Sequence, residues 1–182
     1  MTTPRLSTPR IPTGTFKELG PINWALCRIL SKVAGTPNAH LFSTLGRNKG
    51  LFRGWLFFSG RLMPGGRISK KETELVINRV AHLRDCGYEM DHHSRIGRRF
   101  GVTKELLAQV KEGPESPGLT PRYRTILTAT DELLKTKNLS DPTWTLLAQE
   151  FDERQLIEFL LLVSQYDGLA TTIGTLRIER DF

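Results

Sequence analysis

"SKKETELVINRVAHLRDCGYEMDHHSRIGRRFG", residues 69–101, decides how the chain is read. Ser69 with Glu72 three residues later is a capping box. It stands ahead of the apolar-periodic run "ETELVINRVAHL", so a helix begins here. Asp85 is a good N-cap and Gly87 a poor interior residue. The first helix is therefore expected to end near Asp85-Cys86-Gly87, and a second to run from about Cys86 to Phe100. Gly101 stands where a C′ glycine belongs.

Outward from this pair, apolar residues recur at three- and four-residue intervals and no segment alternates as a strand would. The chain is predicted to be all-α. "INWALCRILSKVAG" (22–35) places Leu26, Ile29, Leu30 and Val33 on one face and stops at Gly35. Asn38 is the expected cap of "AHLFSTLGR", and "GLFRGWLFFSGRLM" follows until "PGG" (64–66) breaks it. Thr103 opens a short helix through Val110. Thr120 with Pro121 opens the next, and Ser140 or Asp141 before Pro142 another, to about Phe151. Asp152 caps the last, whose apolar residues nearly surround its middle, a pattern that fits burial or a subunit contact. We divide the chain into a loosely held arm, 1–20, and one helical domain, 21–182.

Size and composition narrow the function classes. A chain of 182 residues with 38% hydrophobic and 25% charged residues suits a globular protein with its own core. The longest apolar stretch, Leu156 to Val163, is broken by Glu158 and too short for a bilayer span. The first twenty residues lack the apolar region of a secretory signal. Two cysteines, Cys27 and Cys86, make no disulfide scaffold, and the expected compartment is the cytoplasm. The net charge of +7 raises nucleic acid as a partner. The basic residues are dispersed, however, with only Arg95, Arg98 and Arg99 near one another at helical spacing, so nucleic acid ranks low.

The second helix of the opening stretch carries the chemistry. Glu89 and His93 follow Cys86 at three and seven residues, which puts all three side chains in one stripe. His92 falls off it and is expected to face solvent, while Tyr88 sits in the first turn. A thiol at a helix N-terminus beside an imidazole tends towards thiolate, an effect opposed here by Asp85 and Glu89. Burial is expected to raise the pKa of Glu89 and lower that of His93, giving an acid/base pair near neutrality. Elsewhere Trp55, Phe57 and Phe58 are candidate walls of an apolar pocket, and Arg53, Arg79 and Arg95 candidate partners of a substrate carboxylate. His82, His92 and His93 match no structural zinc spacing, and no metal is expected. "PGGR" lacks the spacing and the preceding strand of a phosphate loop.

"ETELVINRVAHLRDCGYEMDHH" (72–93) resembles the signature of the carboxymuconolactone decarboxylase family, which includes the alkylhydroperoxidase D branch. The shared pattern is a glutamate, a cysteine, a further site residue and a histidine, standing here at Glu74, Cys86, Glu89 and His93. "FRGWLFFSGRLMPGGRISKKETEL" and "DERQLIEFLLLVSQYDGLATTIGTLRI" are similar to the flanks of that signature, so the resemblance covers roughly residues 38–178. It implies a fold of paired antiparallel helices assembled into trimers or hexamers, with a dimer the other option, and sites near subunit contacts. One position departs from the hydroperoxidase branch: Glu89 stands where that branch has a second cysteine, and Tyr88 where it has histidine. The chain reads C-x-Y-E-x-x-x-H, so no local dithiol forms, and a second thiol would have to come from Cys27 or an external donor.

On a continuous helix Glu74 would lie about 18 Å from Cys86, so it joins the site only if the chain breaks between them or a neighbouring subunit supplies it. The leading expectation is a cofactor-independent enzyme acting by proton transfer on a small, anionic carboxylated, lactone or enol-type metabolite, foremost a decarboxylase. His93, backed by Glu89 and Glu74, protonates the carbanion, and Cys86 and Tyr88 donate to the developing oxyanion. The alternatives are a thiol-dependent peroxidase cycling through Cys86 and a non-enzymatic basic oligomer.

Overall fold

In the computed structural model, which describes residues 8–182, nine α-helices and no strand occur among the described residues. They are α1 (Phe16–Ala34), α2 (His40–Leu45), α3 (Lys49–Leu62), α4 (Lys70–Leu83), α5 (Gly87–Arg99), α6 (Lys104–Glu112), α7 (Pro121–Thr136), α8 (Asp141–Glu150) and α9 (Glu153–Leu176). The predicted all-α class is what is found.

Short polar side chains start these helices by accepting amide protons that the first turn cannot otherwise satisfy. Ser69 Oγ accepts from Glu72 N at 3.2 Å, Thr103 Oγ1 from Leu106 N at 3.1 Å and Thr120 Oγ1 from Tyr123 N at 3.2 Å. Asp152 and Gln155 cap α9 reciprocally, at 2.8 and 3.1 Å. Three boundaries differ from expectation. The α1 helix begins inside the supposed arm, because Thr15 and Glu18 form a capping box and the helix runs on through a kink at Gly20 (φ 70°) and Pro21. The part of the arm before residue 8 lies outside the described residues. Ala39, not Asn38, is the N-cap of α2. Cys86, not Asp85, is the N-cap of α5, Asp85 being held at φ 49°.

The described residues divide into two compact units. The first takes in residues 8–57 and Thr171–Phe182, and its core is Leu19, Cys27 and Phe52 with Leu26, Phe42 and Trp55 against them. The second, Phe58–Ala170, holds a larger core. Val76, Ile77 and Val80 of α4 meet Ile126 and Ala129 of α7 and Phe159, Leu162, Val163 and Tyr166 of α9 there. By length and a mean hydropathy of 1.2, Glu153–Leu176 is apolar enough to cross a bilayer, although the uninterrupted apolar run within it is short. Leu156, Phe159, Leu162, Val163 and Tyr166 join this core, whereas Ile157 and Leu161 are exposed.

Candidate active site

The α4 and α5 helices form a hairpin, and the turn between them brings distant residues together. Asp85 takes up left-handed backbone, uncommon for a side-chain-bearing residue but tolerated by Asp. The Cys86 amide donates back to Ala81 O at 2.8 Å, which reverses the chain. The two helices then approach closely at Gly97, where a Cβ would stand 3.2 Å from the Val102 side chain and 3.5 Å from the Glu74 Cβ. Glu74 and His93 meet across this contact: His93 Nδ1 lies 3.0 Å from Glu74 Oε2. The expected break thus brings Glu74 onto the α5 stripe within the chain itself.

The surroundings of this pair are acidic and largely buried. The Glu74 side chain is wholly buried, whereas that of His93 keeps 12% of its surface open. Glu89 is 2% exposed. Its Oε2 and Oε1 of Glu74 are buried without a hydrogen-bond partner, as unpaired polar atoms in native proteins rarely are. Burial pushes the Glu89 carboxyl up to about 7, against the opposing pull of His93. For His93, burial is the largest influence and lowers the pKa, but it is outweighed by the charge and hydrogen bond of Glu74 together with the charge of Glu89. The net shift is upward, opposite to the direction expected, because the partner across the hairpin could not be weighed from α5 alone.

At Cys86 the opposing influences resolve towards the neutral thiol. Burial first, then Glu89, push its thiol up to about 11, and the amides of Glu89 and Tyr88 only partly offset them. The helix N-terminus does not produce a thiolate here. Cys27 is also a free, buried thiol, donating to Phe42 O at 3.3 Å and raised by burial to about 11. Tyr88 is buried and stacks on His92 with ring centroids 4.7 Å apart, so His92 is half-buried rather than solvent-facing.

The candidate substrate-binding residues divide. Arg79 is structural: Nε and Nη2 grip the Asp131 carboxylate at 2.7 and 2.6 Å, and Nη1 donates to Val110 O and Lys111 O. Four of its five N–H donors are thus engaged by α7 and the end of α6. Arg95 is exposed on α5, and Phe58 packs against the main core. In the first unit, Arg53 and Phe57 are exposed and Trp55 packs against Phe42 and Phe52 at 6.2 and 6.3 Å. Among the described residues no three His, Cys, Asp or Glu side chains form a metal-ligating cluster. Sequence reasoning missed Tyr166 of α9, whose ring stands edge-on to His93 at 5.1 Å and 88°. Burial, then Glu89 and Glu74, hold its phenol well above the usual range. Nothing local in "SQYDG" marks it, since the contact joins residues 73 positions apart.

Comparison with known proteins bears on the fold. The model of the Carboxymuconolactone decarboxylase family matches residues 49–132, which contain α4, α5 and the Glu74–His93 pair. The uncharacterized protein YdfG of Bacillus subtilis is 22% identical over 103 residues, 56% of this chain and 70% of that protein. An uncharacterized peroxidase-related protein of Ralstonia eutropha JMP134, with an alkylhydroperoxidase AhpD core, superposes with a TM-score of 0.80 at 18% identity, covering 96% of this chain and 94% of that one. A variant of the debrominase Bmp8 in complex with 2,3,4-tribromopyrrole superposes with a TM-score of 0.77 at 16% identity, over 95% and 91% of the two chains. Residues 49–132 are thus similar to the carboxymuconolactone decarboxylase family, and the chain has an all-helical, AhpD-like fold.

Proposed function

We propose that the protein is a cofactor-independent acid–base enzyme in which the Glu74–His93 pair transfers a proton at carbon of a small enolisable, lactone or carboxylated metabolite. The observation that carries this reading is the 3.0 Å contact between His93 Nδ1 and Glu74 Oε2. Glu74 holds Nδ1 and favours the charged ring, which leaves Nε2 to exchange a proton with a substrate. Glu89, titrating near neutrality beside it, is placed to resupply that proton. In a decarboxylation, the bond from carbon to the carboxylate breaks and its electron pair stays on carbon. Carbon dioxide leaves, and the proton on His93 Nε2 passes to that carbon. The Cys86 thiol, kept protonated by burial, serves as a hydrogen-bond donor rather than a nucleophile.

The second reading is thiol chemistry at Cys86, favoured by the peroxidase-related and debrominase names among the structural relatives. Cys86 would attack the terminal oxygen of a hydroperoxide, releasing alcohol and leaving a sulfenic acid that an external thiol reduces. One variant set separates the two, with turnover screened on small lactones and β-keto acids and on cumene hydroperoxide with added dithiothreitol. Acid–base chemistry requires that His93→Ala and Glu74→Gln each lose at least about a hundredfold in turnover, while Cys86→Ser keeps most of it. Loss confined to Cys86→Ser, with thiol-dependent consumption of hydroperoxide, replaces the first reading with the second.

A further inference from the structure

The imidazole of His93 does useful work only if its plane is held so that Nδ1 stays on Glu74. The hydrogen bond fixes one ring atom but leaves rotation about the Cβ–Cγ bond to be limited by packing, since that torsion is broad. Tyr166 supplies the missing wall. Its ring stands perpendicular to the imidazole, at 88° and 5.1 Å between centroids, in the range of aromatic edge contacts. Tyr166 itself has little freedom, because it belongs to the buried cluster that includes Val76, Val80, Phe159, Leu162 and Val163.

The placement of that ring along α9 is set from a second point. Glu158 Oε2 accepts from Arg67 N at 2.6 Å and its Oε1 from Ile68 N at 3.1 Å, just ahead of the α4 N-cap. Glu158, Leu162 and Tyr166 recur every four residues and share one face of α9. A carboxylate clamp at one end of this stripe therefore holds α9 in register with α4, and two turns on the stripe delivers Tyr166 against His93.

We infer that Tyr166 is a positioning residue of the acid–base site, its ring fixing the plane of His93 so that Nδ1 remains engaged with Glu74. The inference rests on the proposed role of His93, but its test needs no substrate. The full-length protein is labelled with nitrogen-15, and the His93 ring nitrogens are followed through a pH titration by NMR in the parent, Tyr166→Phe, Tyr166→Leu and Tyr166→Met. Tyr166→Phe keeps the ring and is expected to titrate as the parent does. Tyr166→Leu removes the wall, so the Glu74 bond that offsets burial weakens. The His93 midpoint then falls by about 1 to 2 pH units, the equivalent of one charged hydrogen bond, and its Nδ1 signal loses the bonded shift. Should the leucine variant fail to fold by circular dichroism, Tyr166→Met, of similar length and flexible, carries the same expectation. A folded leucine or methionine variant with the parent midpoint overturns the inference, as does a phenylalanine variant shifted as far as leucine. Neither result bears on turnover, so a catalytically silent His93→Ala removes the functional reading while leaving this one standing or falling by its own titration.

Discussion

Glu89 is a residue whose protonation the fold alters near neutral pH, and its consequences are open to measurement without knowledge of the substrate. Its carboxyl titrates near 4.5 when exposed and at about 7 in the fold. The folded state therefore holds a proton that the unfolded chain has already released across that interval. Stability is full below the unfolded value and is lost as pH rises through the folded one. The stability of the parent is expected to decline between about pH 4.5 and 7 by a few kcal/mol on this account, with His93 adding to the fall at higher pH because its pKa is also raised. In Glu89→Gln the 4.5–7 part of the decline should vanish, as urea midpoints at half-unit pH steps will reveal. A parent and variant with parallel profiles would mean that Glu89 is ionised in the fold. Cys86 offers a second check at this scale. With the thiol raised to about 11, iodoacetamide at pH 7 should alkylate it about a hundredfold more slowly than free cysteine, read by mass spectrometry. Faster reaction than free cysteine would favour the thiol mechanism instead.

At the scale of elements, the α4–α5 hairpin was the most legible part of the chain, because its signals are local. A capping pair, an Asp and two glycines mark its limits within the residues concerned. What stayed hidden was what each helix meets. Arg79 reads as a candidate anion binder until Asp131, 52 residues away, takes its guanidinium. Gly113 shows the same dependence: at φ 119° its hydrogen faces Arg79, and a Cβ there would stand 2.9 Å from Nη2. Arg79→Lys cannot reproduce the two-pronged grip, leaves carbonyls of α6 unpaired, and is expected to cost about 2 to 4 kcal/mol by urea unfolding. Turnover per folded molecule should be retained, and a selective rise in KM would restore its substrate role. Gly97 tests the helix contact itself. Gly97→Val places two methyl groups where Val102 and Glu74 already sit, which is expected to cost about 1 to 3 kcal/mol as overpacking. The His93 midpoint should fall with it as α5 is pushed off α4, whereas an unshifted midpoint would show that the pair tolerates the wider spacing.

At the scale of the whole molecule, charge was legible and its use was not. An excess of 26 basic over 19 acidic residues states the balance but not where each charge is engaged. Several basic groups are bound internally: Arg79 by Asp131, Arg122 by Glu72 and Glu150, Arg84 and Lys137 by Asp167, and Arg47 by Glu18. Pairing of this kind breaks up the single-sign surface that a nucleic-acid backbone requires. The remaining positive charge is still long-range and attracts any polyanion at low ionic strength, so the reading of the chain as a basic binding module has a definite consequence. Fluorescence anisotropy with a labelled DNA duplex should register weak association at about 50 mM salt that is abolished by about 200 mM, since only diffuse counterion release drives it. His93→Ala should bind that duplex as the parent does while losing turnover, because the acid–base pair is buried away from the charged surface. Tight association that survives about 200 mM salt, or that discriminates between duplex sequences, would demand base-reading contacts and would make the buried Glu74–His93 pair a structural ion pair in a binding protein.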